Sequence, residues 1–230
     1  VIQVWSDLLC PFAYLALHGL RAARASLPVG DRAATVRFEH HVFALELFNG
    51  PHRRRSTDAE VAGLSNVVPG AGLRIWAAAD DLYPHTVLLA AEAVLAASAQ
   101  SLGAGEALDI ALRAAFWTHS RNIAHRQVIL EVAAEVARDE PTAQLDTASL
   151  TAALDAGRHR ADLMHDYATA RTDRVPGSPT FSLPDGHTVT NPGIALHWEG
   201  PEAASVPIVD RHDPAAYAEL LRRATTGPES

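Results

Sequence analysis

Cysteine is nearly missing from this chain: Cys10 is the only one in 230 residues. One thiol excludes an internal disulfide framework and a multi-thiolate zinc site. Lysine is missing altogether, so all 19 basic residues are arginine, and the net charge is −8. Nothing here offers an electrostatic footprint for nucleic acid or an anionic membrane surface. No stretch approaches the ~18 consecutive apolar residues of a membrane span, and the N-terminus lacks a basic segment followed by an apolar one and a cleavage site. A cytoplasmic protein is expected, with a removed leader left open because the chain starts at Val1 rather than methionine. The one basic run, Arg53-Arg54-Arg55 after Gly50-Pro51-His52, reads as a solvated loop.

Familiar catalytic patterns are absent too. His40 and His41 alternate faces of one strand, and His119 and His125 match neither helical pair spacing, so no metal is expected. Gly70 and Gly72 in "VPGAGLR" have no following Lys-Ser/Thr of a phosphate loop, and Ser65 and Ser98 lack a Gly-x-Ser-x-Gly context.

Apolar content is ample at 48%, enough for one large domain or a domain with an insertion. Residues 1 to 6 are β-branched and aromatic, and Pro11 to Ala25 carries apolar residues at helical spacing, which predicts strand, tight turn, helix. Thr35 to Phe43 alternates Val36, Phe38, His40 and Val42 against polar neighbours and predicts a second strand parallel to the first across the helix. Residues 52 to 172 then read as helices only. Their stripes are Val87-Leu88-Ala91-Val94-Leu95, Leu108-Leu112-Ala115-Phe116, Ile129-Val132-Ala133-Val136, Leu150-Leu154, and Met164-Tyr167-Ala168. Trp76 and Trp117 in this region read as packing residues or as a roof over a cleft between domains. Thr180 to Val189 around Pro184-Asp185-Gly186 predicts a hairpin. Residues 200 to 212 read as a loop, Asp213-Pro214 as a helix start before Tyr217, Leu220, Leu221 and Ala224, and the last few residues as a frayed end.

The order β-α-β, helical stretch, β-β-α makes Cys10 interesting. A strand ending just before Cys10 and a helix starting at Pro11 put the sulfur at a helix N-terminus, where unpaired amides and the dipole favour a thiolate. That geometry predicts a partly accessible thiol with a pKa below the ~8.5 of free cysteine. The rival reading is a small buried hydrophobe, the commonest fate of a lone cysteine.

The segment "WSDLLCPFAYLALHGL" resembles the active-site strand and helix of DsbA-like thioredoxin-fold oxidoreductases, in the FrnE-like branch that includes relatives of hydroxychromene-carboxylate isomerase and kappa-class glutathione transferase. "FALELFNG", "PHTVLLAAEAV", "ALRAAFWTHSRNIAHRQVILEVAAEV" and "VPGSPTF" follow in that family's order, so the resemblance covers nearly the whole chain. It implies an α/β protein: a thioredoxin-like domain (1–50 and 175–224) interrupted by an all-helical insertion (52–172). It also implies Cys10 as nucleophile, Pro179 as the cis-proline facing it, and Ser178 as the residue whose backbone pairs with an extended substrate.

This chain departs from the dithiol Cys-Pro-x-Cys pattern, because Ala13 stands in the fourth position. Dithiol exchange within one subunit is therefore impossible. The expectation is a monothiol oxidoreductase acting through a mixed disulfide with a substrate or a small thiol such as glutathione or mycothiol, with no tightly bound cofactor. The alternatives are a thiol-dependent transferase or isomerase acting on a small electrophile, and a non-catalytic binding module. Pro11, Phe12, Ala13, Tyr14, Ser178 and His85 are candidate substrate-binding residues, with Phe12 and Tyr14 read as an apolar wall or as core. Asp7 is a candidate for tuning the thiol or capping its turn. The expected partner is a small thiol or disulfide, and the family resemblance implies a homodimer.

Overall fold

The computed structural model describes residues 1–201 and 205–226. The frayed end expected beyond Thr226 and the middle of the loop expected at 200 to 212 lie outside the described residues.

β1 (Ile2–Ser6) feeds α1 (Pro11–Ala25), and a one-turn 3-10 helix at Arg32–Thr35 leads into β2 (Phe38–Val42), which pairs parallel to β1 with Ile2 opposite Phe38. The second strand starts three residues later than its alternation predicts. Asp31 accepts from Ala33 N–H and turns residues 32–35 into that helix, and Val36 packs in the core without pairing. α2 (Glu46–Asn49), α3 (Arg54–Leu64), α4 (Leu88–Ser98), α5 (Leu102–Trp117), α6 (Arg126–Asp139), α7 (Thr147–Asp155) and α8 (Arg160–Ala170) follow without an intervening strand. β3 (Thr180–Ser182) returns antiparallel to β1 and turns at Pro184–Gly186 into β4 (Thr188–Thr190), giving a sheet of order β2-β1-β3-β4. The fold is α/β and thioredoxin-like.

The expected loop at 200–212 needs correction. β5 (Ile194–Glu199) and β6 (Val206–His212) form a separate antiparallel ribbon that lies against α3. Its apolar runs are short and β6 contains Pro207, which argues against a strand in sequence. α3 approaches β6 so closely that a Cβ at Gly63 would collide with the Pro207 carbonyl oxygen. The Arg53–Arg55 loop is also corrected: Arg54 opens α3, where it binds Asp58, Asp80 and the Trp76 carbonyl.

α9 (Ala215–Arg223) closes the chain against α1, with Asp213 Oδ1 accepting from Ala215 N–H. The crossing is tight because Gly19 faces the Tyr217 ring, into which any Cβ would run.

α1 belongs to two cores. Its first half, Phe12 to Leu15, packs with the helical stretch, whereas Ala16, Leu17 and Leu20 pack with the sheet and α9. The Cys10 end of α1 thus rests on the helices. α8 forms as its sequence predicts but turns the other way: Met164 is 51% exposed and Ala168 is exposed, while Leu163, Asp166 and Ala170 are buried. Asp166 decides this, accepting from Val42 N–H at 2.9 Å and lying 2.9 Å from His41 Nδ1. β2 is an edge strand, and a buried carboxylate is a suitable acceptor for its outward amide.

Candidate active site

The site is assembled where β1 ends. Asp7, Leu8 and Leu9 make a turn in which Cys10 N–H donates to the Asp7 carbonyl, and α1 begins at Pro11, whose missing N–H costs nothing there. Asp7 organises the turn: Oδ1 accepts from Leu9 N–H at 2.6 Å and Oδ2 from Leu45 N–H at 2.8 Å, joining the turn to the segment after β2. Its own N–H donates to Ser178 Oγ at 2.9 Å.

Cys10 occupies the cap position of α1, and its Sγ lies 3.3 Å from the Ser178 carbonyl oxygen, to which the thiol donates. The Ser178–Pro179 peptide bond is cis. Residues 168 apart in sequence, Cys10 and Ser178, therefore meet, with Asp7 bonded to both sides of the junction.

The depressed thiol expected at a helix N-terminus is not what the surroundings produce. Cys10 is 4% exposed, and burial pushes its pKa up to about 12. Bonding from the Ser178 side chain and the Ala13 backbone pulls the other way, while the Glu60 and Asp7 carboxylates add to the rise. Desolvation exceeds what the helix end supplies. Sequence placed the sulfur at the dipole end but could not show how deeply the helices cover it.

The other candidates divide. Ala13 is wholly buried behind the thiol. Tyr14 is buried, and its hydroxyl donates to the Ala71 carbonyl at 2.6 Å and meets Thr118 Oγ1 at 3.3 Å, so it packs and does not wall a cleft. Phe12 is buried against a residue the sequence reading did not consider, Trp198 of β5, at 6.2 Å edge to face. Trp198 is 48% exposed and extends the ribbon over the start of α1. His85 is exposed, its Nδ1 lies 3.0 Å from the His52 carbonyl, and its own carbonyl accepts from His52 N–H. It braces His52.

His52 and Glu60 are the polar groups that sequence reading missed. With Leu9, Leu45, Arg53, Thr57 and others they line a cavity of about 190 Å³ beside the turn. His52 Nε2 lies 3.4 Å from Asp7 Oδ2. Burial opposes a charge on His52, but Asp7, Glu46 and Glu60 outweigh it and raise its pKa. Burial pushes Glu60 up to about 7, against the pull of His52. The only signals in the sequence were a histidine just before α3 and two acids, Asp58 and Glu60, within that helix. Trp76 donates to the Ala79 carbonyl and packs against Tyr83 and Phe116; it does not roof the site.

The family model for the DSBA-like thioredoxin domain matches residues 1–196. The chain belongs to the DsbA-like thioredoxin family. The matched residues include the thiol turn, the helical stretch and the Ser178–Pro179 segment. Among solved structures, a probable DsbA oxidoreductase from Streptomyces coelicolor is similar over 100% of this chain and 92% of its own, at 18% identity and a TM-score of 0.63. A candidate protein disulfide isomerase from Nitrosomonas europaea is similar over 97% and 94%, at 11% identity and a TM-score of 0.64. These likenesses show the fold. A search of curated proteins returned no match. Among the described residues no helix is long and apolar enough to cross a membrane.

Proposed function

We propose that this DsbA-like protein is a cytoplasmic monothiol oxidoreductase, a variant of the family's FrnE-like branch that exchanges small thiols through a mixed disulfide on Cys10. The observation that carries the reading is the placement of the chain's single thiol at the start of α1, 3.3 Å from the Ser178 carbonyl beside the cis-proline. In the first step Cys10 attacks a disulfide R–S–S–R′: the Cys10–S–R bond forms, the S–S bond breaks, and R′–S leaves with the proton that Cys10 gives up. In the second step a thiol R–SH attacks the mixed disulfide, forming R–S–S–R and returning its proton to Cys10. Two electrons pass from R–SH to the original disulfide, and no second protein thiol is needed.

The buried, protonated resting thiol requires that substrate binding uncover it. The cavity beside Leu9, with His52 and Glu60, gives a small polar thiol a place to bind, while Phe12 and Trp198 offer an apolar flank. Exchange between a small aliphatic disulfide and glutathione, or a mycothiol analogue, tests the reading. Turnover is expected to rise with thiol concentration and to vanish in Cys10→Ser. No exchange with any of these thiols, with the protein folded, overturns it.

The burial of Cys10 favours a second reading, a binding module that retains the cleft without turnover. In that case ligands bind equally well to the parent and to Cys10→Ser, and neither protein turns over.

A further inference from the structure

α5 carries an unusual stripe. Glu106, Asp109, Arg113 and Trp117 recur on one helical face and are buried, Arg113 completely. Leu108, Leu112 and Phe116 supply the ordinary apolar packing of the same helix. Charged groups in such a place are costly unless every one is bonded.

The bonds that leave this face run to α1, to the strands and to the turn that holds the thiol. Glu106 Oε1 accepts from Phe38 N–H at 2.7 Å, at the start of β2, and the carboxylate pairs with Arg24 of α1. Asp109 takes two bonds from Arg113, at 2.8 and 3.0 Å, and faces His40 of β2. Arg113 then donates to Ser6 Oγ and to the Asp7 carbonyl, both at 2.7 Å. One turn further on, Trp117 Nε1 donates to the Leu8 carbonyl at 3.2 Å. Two successive carbonyls of the thiol turn are thus held by donors one helical turn apart, and the Asp7 carbonyl also accepts from Cys10 N–H. Apolar packing could bury this turn, but only directional donors fix its rotation.

We propose that Arg113 and Trp117 are positioning residues for Cys10, so that α5, whose bonds reach the turn and not the thiol itself, sets how far the sulfur is covered and hence its reactivity. Water entering a loosened turn would relieve the desolvation that holds the thiol protonated, leaving Glu60 and Asp7 as the charges that still oppose ionisation. The inference rests on the reading of Cys10 as the reactive thiol. Its test needs no turnover, so the two can fail separately.

The test is the rate of Cys10 alkylation by iodoacetamide against pH, in the parent and in Trp117→Phe, which keeps an aromatic ring and removes the N–H. The profile should move down by at least about one pH unit, making alkylation at pH 8 about tenfold faster, since each unit changes the thiolate fraction tenfold. Should Trp117→Phe fail to fold, replacement of Trp117 by β-(3-benzothienyl)alanine exchanges N–H for sulfur in a ring of the same shape and gives the same reading. Leu150→Ala, a cavity in the distant α7, serves as the packing control and should leave the profile in place. An unmoved profile in the folded Trp117 variant, or an equal shift in Leu150→Ala, overturns the proposal.

Discussion

Cys10 is governed by two opposing neighbourhoods. The helix N-terminus and Ser178 stabilise a thiolate, whereas burial and two carboxylates stabilise the thiol, and the second pair prevails. The first is legible in the sequence as a strand, a Cys-Pro pair and a helical pattern. The second is not, because it depends on which helices cover the turn. Ala13 follows the same logic. It lies one helical turn from Cys10, within reach for a short covalent link, and it is fully buried. Ala13→Cys is expected to form a disulfide with Cys10, detectable as loss of both free thiols after purification without reductant. The parent should then exchange only with added small thiols, and the variant should gain dithiol exchange. Two free thiols in the oxidised variant would mean that Cys10 does not face position 13 as described.

Helices and strands were mostly visible in periodicity, and each failure has a physical cause. Wherever a buried polar group decides which face turns inward, an apolar stripe misleads. α8 reads as burying Met164 and Ala168 but buries Asp166, because the edge of β2 needs an acceptor for the Val42 amide. Asp166→Ala should therefore cost about 1–3 kcal/mol, the usual penalty for stranding a buried donor, read as a lower denaturant midpoint with unchanged slope. Met164→Ala should cost almost nothing. Equal losses would restore the apolar-stripe reading. The β5–β6 ribbon was missed for another reason: its apolar runs are short, Val206-Pro207-Ile208-Val209 is broken by a proline that argues against a strand, and exposed His197, Asp210 and Arg211 adjoin them. Within the site, Cys10, Ser178 and Pro179 could be named from family resemblance, whereas His52, Glu60, Arg113 and Trp198 come from the helical stretch and the ribbon and carry no local motif.

At the scale of the molecule the thiol turn sits between a sheet core and a helical core, and α1 contributes to both. Its acid–base surroundings make stability depend on pH in a definite direction. Glu60 is raised from 4.5 to about 7, so the folded state binds its proton more tightly than the unfolded chain does. Its contribution is fully present below about pH 4.5 and is lost as pH rises towards 7. Buried His40 runs the other way: burial lowers its pKa from 6.5, so its contribution is present above that value and fades as the unfolded chain takes up the proton below it. Glu60→Gln removes the first dependence and should be more stable than the parent by about 1–3 kcal/mol at pH 8 relative to pH 5. A pH-independent difference would show that Glu60 is not held neutral by its site. The central claim, that one sulfur performs the exchange through a mixed disulfide, is tested most directly by intact-mass measurement after incubation with a small disulfide. The account predicts a single adduct, mapped to Cys10, that disappears on addition of the matching thiol with release of an equivalent amount of oxidised thiol. A folded protein that forms no adduct, or an adduct that added thiol cannot remove, would contradict it.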